Sequence, residues 1–252
     1  MQKTLTGKVA LVTGGSRGLG ATTAEALAEL GADIAISFVT SRDKADAVVA
    51  RLQAKGVRAI AVQSDQADTA AAKPLVATVL AHFGKLDILV NNAAIAVQGR
   101  KVDDPELDVA NLDRQWRINV LGTVATTRAA APVLSDGGRI VFIGSLLGSI
   151  VPFPGAADYA GTKAAIAGYA RGVARDLGGR NITVNVVQPG VMPTDMAAEV
   201  LGDGIPDAIL DLHPIRRIAT LEEVAATVCF LVGPHGGYMT GGTIDIAGGL
   251  GI

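Results

Sequence analysis

At 252 residues, the chain is long enough to bury a substantial core, and with 49% hydrophobic but only 4% aromatic side chains that core must be built from Val, Ile, Leu and Ala. A net charge of −2, with the basic residues scattered, leaves no electrostatic footprint for nucleic acid. The single cysteine, Cys229, excludes an internal disulfide and every cysteine-rich metal site.

Charge-free stretches at 140–157 and 224–244 are interrupted by Gly, Pro and Ser, so neither makes a membrane span. The N terminus enters an apolar run of only four residues, Val9 to Val12, too short for a signal-peptide core. A soluble, cytoplasmic protein is expected. Short β-branched runs alternate with Ala-rich helical patterns along the whole chain. That rhythm predicts an α/β fold: a single Rossmann-like domain over 1–252, a doubly wound parallel sheet of about seven strands with helices on both faces. Strands are predicted at 9–13, 33–38, 57–63, 86–91, 139–145, 183–188 and 243–246. Helices are predicted near 18–30, 42–55, 69–83, 107–131, 157–177 and 221–232. The segment 190–218, rich in Pro, Met, Asp and His, breaks the rhythm and reads as a mobile insertion over a site, with Gly202, Gly204, Pro206 and Pro214 in it.

The first strand-to-helix turn reads Thr13-Gly14-Gly15-Ser16-Arg17-Gly18-Leu19-Gly20. Glycines there let the backbone approach a pyrophosphate, whose charge the free amides and helix dipole stabilise. At the end of the second strand, Ser37-Phe38-Val39-Thr40-Ser41-Arg42 lacks the carboxylate that would bind an NAD ribose, notably at position 37. With Arg17, Thr40 and Ser41 nearby, this pocket suits the 2′-phosphate of NADP, while Arg42 and Asp43 read as solvated surface charges. Asp65 and Gln66 follow the third strand, and Asn91-Asn92-Ala93-Ala94 follows the fourth, at the sheet edge where open α/β folds bind ligands.

Further on, Tyr159 and Lys163 stand four positions apart in a helical pattern, on one face and about 5–6 Å from each other. A phenol titrates at about pH 10; an adjacent ammonium should favour the phenolate and draw that value down, making Tyr159 a proton donor to a carbonyl or a proton acceptor from an alcohol. The three histidines, His82, His213 and His235, have no ligand spacing, so no metal is expected.

Taken in order, Thr-Gly-x-x-x-Gly-x-Gly, Asn-Asn-Ala-Ala, Ser145 closing the fifth strand and Tyr159-x-x-x-Lys163 resemble the short-chain dehydrogenase/reductase family, nearest to its compact NADP-dependent ketoreductases. The resemblance runs from Lys8 to the C terminus; Ala94 and Thr162 stand where glycine and serine are commoner. It implies a catalytic tetrad. Asn119 would distort its helix and hold a water connected to Lys163, Ser145 would bond the substrate oxygen, Tyr159 would transfer the proton, and Lys163 would hold the nicotinamide ribose. It further implies that Asp65 lies near the adenine, that Asn91 and Ala93 line the adenosine side, and that Pro189, Gly190 and Thr194 contact the nicotinamide end.

The substrate pocket is expected to be apolar, lined by Ile95, Val97, Leu146, Leu147, Val151, Phe153, Met192 and Met196, and to take a hydrophobic ketone or β-keto ester. A second reading is a nucleotide-sensing or regulatory binding protein on the same fold. Small residues on the helices near 107–131 and 157–177, an apolar C-terminal run to Ile252, and the family resemblance lead to the expectation of a homotetramer.

Overall fold

Seven strands pair in parallel in the order β3-β2-β1-β4-β5-β6-β7 in a computed structural model that describes residues 3–201 and 206–251. They are β1 (Val9–Val12), β2 (Asp33–Phe38), β3 (Ala59–Gln63), β4 (Leu86–Asn91), β5 (Leu134–Ile143), β6 (Thr183–Pro189) and β7 (Thr243–Ile246). The helices are α1 (Gly18–Glu29), α2 (Arg42–Ala54), α3 (Ala72–Phe83), α4 (Val109–Trp116), α5 (Thr123–Ala130), α6 (Ala157–Leu177), α7 (Asp195–Leu201), α8 (Asp207–Leu210) and α9 (Leu221–Val232). Gly202, Gly204 and Ile252 lie outside the described residues.

Strand alternation sorts the core into two layers. Ala10, Val12, Ile34, Ile36 and Ile88 face one side, against α1, α2 and α9. Val9, Leu11, Ala35 and Leu89 face the other, against α3 and α6. Both faces being covered is why the strands read as continuous apolar runs rather than as alternating ones.

Several boundaries differ from the sequence expectation. β3 begins at Ala59 because Gly56, at φ +83°, and the two residues after it complete the turn out of α2. β5 begins at Leu134, earlier than Ser-Asp-Gly-Gly suggested, through an irregularity in the register: Leu86 pairs with Leu134 but Ile88 with Arg139. It also ends at Ile143, so Ser145 lies just beyond the strand. The single helix expected over 107–131 is α4 and α5 joined by a π-helical turn, Arg117–Gly122, which contains Asn119. Around that turn Gly122 comes so close to Gln66 that a Cβ would overlap the Gln66 carbonyl oxygen.

β1 sits between β2 and β4, so the chain leaves it in opposite directions on either side. This reversal opens a crevice at the carboxyl ends of β1 and β4. Residues 190–201 and 206–218 fold over that end, with Ala219 N bonded to Val191 O and Ile215 N to Gly248 O.

Candidate active site

The glycine-rich turn after β1 is clamped by the segment after β4. Thr13 is fully buried, and its hydroxyl accepts from the amides of Asn92 (3.0 Å) and Ala93 (3.1 Å). In return, the Asn92 side chain donates to the carbonyls of Thr13 (2.8 Å) and Gly14 (3.2 Å). Gly14 and Gly18 hold φ angles of +64° and +51°, accessible to glycine without a Cβ penalty. At Gly20 a Cβ would overlap the Gly14 carbonyl and stand 2.6 Å from Asn92 Nδ2, whereas Gly18 faces open space up to the Thr194 methyl. Ser16 and Leu19 belong to the same turn and first helical residues. α1 starts behind Arg17 with no side chain capping it, leaving its first amides and positive dipole end for a ligand. This cradle fits the pyrophosphate of a dinucleotide.

Beyond β2 the structure shifts the expected ribose position. Ser37 is buried, its Oγ accepting from Gly14 N at 3.2 Å and its carbonyl from Gly15 N at 2.9 Å. It braces the glycine turn, because β2 continues to Phe38 and alternation turns residue 37 inward. The exposed groups after the strand are Val39, Thr40 and Ser41, and Arg42 and Asp43 are exposed as expected, with the Arg42 guanidinium 4.9 Å from the Phe38 ring centre. No carboxylate precedes Asp43 there. Arg17 donates to Asp195 at 2.8 Å, joining the glycine turn to α7 across the crevice.

Asp65 lies beside Ser37, Ser64 and Gln66 at a small polar pocket after β3, and its Oδ1 accepts from Ala67 N at 2.9 Å. Gln66 departs from its expected role. Its buried side-chain amide faces the carbonyls of Ala93 and Ile118 (3.0 Å each) and the Thr123 hydroxyl (3.1 Å), so it ties the β3, β4 and α5 regions together rather than reaching for a cofactor. Asn91 likewise turns inward, its Nδ2 donating to Thr127 at 3.1 Å, while its buried Oδ1 has no partner in the protein.

Tyr159 and Lys163 occupy the buried face of α6, 8% and 5% exposed. Lys163 Nζ stands 5.6 Å from the centre of the Tyr159 ring and donates to the Ile143 carbonyl at 3.0 Å. Ser145, extended just after β5, accepts from Leu147 N at 3.2 Å and lines the same cleft as the Tyr159 phenol. Burial pushes that phenol up to about 12, and the nearby Ser145 side chain only partly offsets it. Burial also draws the Lys163 ammonium down to about 8. The expectation that Lys163 would lower the phenol is therefore reversed in the protein alone: loss of hydration outweighs the neighbouring charge, whose donor points at Ile143 O. At neutral pH the phenol keeps its proton, as a donor requires.

Asn119 completes the cluster in a way that the sequence did not reveal. Its Oδ1 accepts from Ile95 N at 2.9 Å, and its Nδ2 donates to Ile95 O at 2.9 Å and Thr162 Oγ1 at 3.2 Å. The side chain thus fastens the segment after β4 to α6, between Tyr159 and Lys163 in sequence.

In front of Tyr159 and Ser145 lies an open cleft with a volume of about 140 Å³, with Leu147, Phe153, Met192, Met196 and Leu250 among its walls. Pro189, Gly190 and Thr194 border it, Gly190 being held by its amide on Ile246 O at 3.0 Å. Three expected lining residues are elsewhere: Val151 is half exposed, and Ile95 and Val97 are replaced on the wall by Ala96 and Gln98. The chain there is extended, and the amides of 95 and 97 are taken up by side chains behind it. His213 lies in the loop after α8 and is buried, with Nδ1 2.8 Å from Ile209 O. Asn92, Gln98, Gln115 and Leu250 were not foreseen; only the Asn-Asn doublet hinted at the first.

Comparison with known proteins places these features in context. The family model described as Enoyl-(Acyl carrier protein) reductase matches residues 14–251. The chain is 36% identical to 3-oxoacyl-[acyl-carrier-protein] reductase FabG of Staphylococcus aureus, over 96% of this chain and 98% of the relative. It is 39% identical to the cyclic-di-GMP-binding biofilm dispersal mediator protein of Escherichia coli, over 98% of both. Among solved structures, a short chain dehydrogenase from Burkholderia cenocepacia in complex with NADP superposes with a TM-score of 0.94 at 45% identity, covering 99% of this chain and 100% of that one.

Proposed function

Because the chain belongs to the short-chain dehydrogenase/reductase family, we propose that it is an NADPH-dependent oxidoreductase that reduces a ketone or β-keto ester to a secondary alcohol. The observation that carries this reading is that Ser145 and Tyr159 both line one largely apolar cleft, with Lys163 one helical turn from Tyr159. NADPH, when bound along the crevice, supplies the hydride.

Gly14, Ser16, Gly18, Leu19 and Gly20 would hold its pyrophosphate, with Arg17, Thr40 and Ser41 at the 2′-phosphate. Asp65, Asn91 and Ala93 would lie on the adenosine side, the last two through their backbone. Pro189, Gly190 and Thr194 would border the nicotinamide end, with Tyr159 and Lys163 at its ribose. As negative charge grows on the carbonyl oxygen, Ser145 donates a hydrogen bond to it and Tyr159 delivers the proton, both from fixed, dehydrated positions. Lys163, charged, would then offset the phenolate left behind, and Asn119 keeps α6 in register with the segment after β4. Segment 190–218 serves as the substrate-side insertion of a single domain.

The test is NADPH oxidation with a panel of hydrophobic ketones, β-keto esters and an α,β-unsaturated thioester. Ketones and keto esters should be reduced, and Tyr159→Phe should lower turnover about 10²–10⁴-fold while NADPH binding by fluorescence persists. Reduction of the unsaturated thioester alone would overturn the carbonyl reading. NADPH binding with turnover of no carbonyl substrate would favour the regulatory reading, which the likeness to the cyclic-di-GMP-binding protein keeps in view.

We further propose a homotetramer. Gly172 on α6 has open space where a Cβ would stand, Leu121 is exposed in the π turn between α4 and α5, and Phe230 on α9 and Tyr238 before β7 are exposed. These surfaces suit close helix packing and edge association. Among the described residues, no helix is long and apolar enough to cross a membrane.

A further inference from the structure

Residues 95–99 belong to no strand, yet they are held as one would be. The amides of Ile95, Val97 and Gly99, alternate along the chain, donate to Asn119 Oδ1 (2.9 Å), Gln115 Oε1 (2.5 Å) and the Gly155 carbonyl (2.9 Å). Gln115 and Asn119 are four residues apart where α4 enters the π turn, so their side chains leave the same face of the helix. Together with Gly155 they act as a substitute strand edge. With the amides of 95, 97 and 99 turned toward it, the intervening Ala96 and Gln98 form a wall of the cleft that contains Tyr159.

Gln115 is fully buried, and its Nε2 has no hydrogen-bond partner. An unsatisfied buried donor is unfavourable, so only the acceptor half of this side chain contributes. Gln115 touches neither Ser145 nor Tyr159 in any hydrogen bond. Its contact is Val97.

We infer that Gln115 is a positioning residue for substrate selection: through Val97 N it sets how far Ala96 and Gln98 reach into the cleft, and hence which carbonyl compounds fit beside Tyr159. This rests on the carbonyl-reductase reading. The carboxamide of Gln98 stands on an otherwise largely apolar wall, so a substrate with a second hydrogen-bonding group, such as the ester of a β-keto ester, gains from its placement while a plain alkyl ketone does not.

The experiment compares wild type, Gln115→Met and Gln115→Glu, each with NADPH, on a β-keto ester and an alkyl ketone of matched length, alongside amide hydrogen exchange of residues 95–99 in the protein without cofactor. Gln115→Met, which lacks the acceptor, should lower the keto-ester to alkyl-ketone ratio of kcat/KM about fivefold, mainly through KM, with kcat on the alkyl ketone within about twofold. Exchange at Val97 should accelerate. Gln115→Glu, protonated or not, keeps an oxygen opposite Val97 and should retain both the ratio and the protection. An unchanged ratio in Gln115→Met, equal loss of kcat on both substrates, or unchanged exchange at Val97 would overturn the inference. A wild-type protein that reduced neither compound would sink the carbonyl reading and the selection role with it, whereas exchange at Val97 reports the Gln115 contact in either case.

Discussion

Replacing Lys163 by methionine should stabilise the protein while abolishing its chemistry. Lys163 is buried on α6, and burial lowers its pKa from 10.5 to about 8. Below pH 8 the folded protein therefore carries a charge that it disfavours by about 2.5 pK units, on the order of 3 kcal/mol. Methionine matches the length of the stem and has no charge, but it leaves the Ile143 carbonyl without the 3.0 Å bond from the charged Nζ, at a cost of about 1.5–3 kcal/mol. The net expectation is a gain of about 1 kcal/mol at pH 7. Between pH 8 and 10.5 the unfolded wild type binds more protons at this site than the folded state, so wild-type stability rises with pH there and the advantage of the variant shrinks. Urea melts of both proteins at pH 7 and at pH 9.5, without cofactor, measure this directly. A variant less stable than wild type at pH 7, or an advantage that does not shrink at pH 9.5, would refute the desolvation argument. Ketone reduction by the variant should be lost at both pH values.

Arg17→Ala should weaken NADPH binding about tenfold, as for loss of one exposed bond to a charged group, while leaving NADH binding nearly unchanged; titration by cofactor fluorescence checks both. Segment 191–198 should gain hydrogen-exchange protection when NADPH binds, since Thr194 overlies Gly18 and Asp195 is joined to Arg17; equal protection with and without cofactor would mark it as a fixed wall.

Much of this protein follows from local rules that its sequence states directly. The β1 turn needs glycines at 14 and 18 because their φ angles are positive, and Tyr159 and Lys163 share a face because they are one helical turn apart. The doubly wound sheet follows from apolar runs alternating with helical patterns, since strands covered on both faces carry no polar alternation. What the tertiary structure alone decided involves groups far apart along the chain. Asn92 clamps Thr13 across 79 residues, and Ser37 turns away from the ribose because alternation along β2 points it inward, where it accepts from Gly14 N. The exchange of Ile95 and Val97 for Ala96 and Gln98 on the cleft wall depends on amide acceptors supplied by α4 and its π turn; a shift of one residue in an extended segment reverses every side chain. The reversed order of influences on Tyr159 has the same origin. Spacing fixes where a lysine can stand, but the hydration that its neighbour loses is set by the sheet, the cleft walls and α6 closing around both, and that packing exists only in the folded chain.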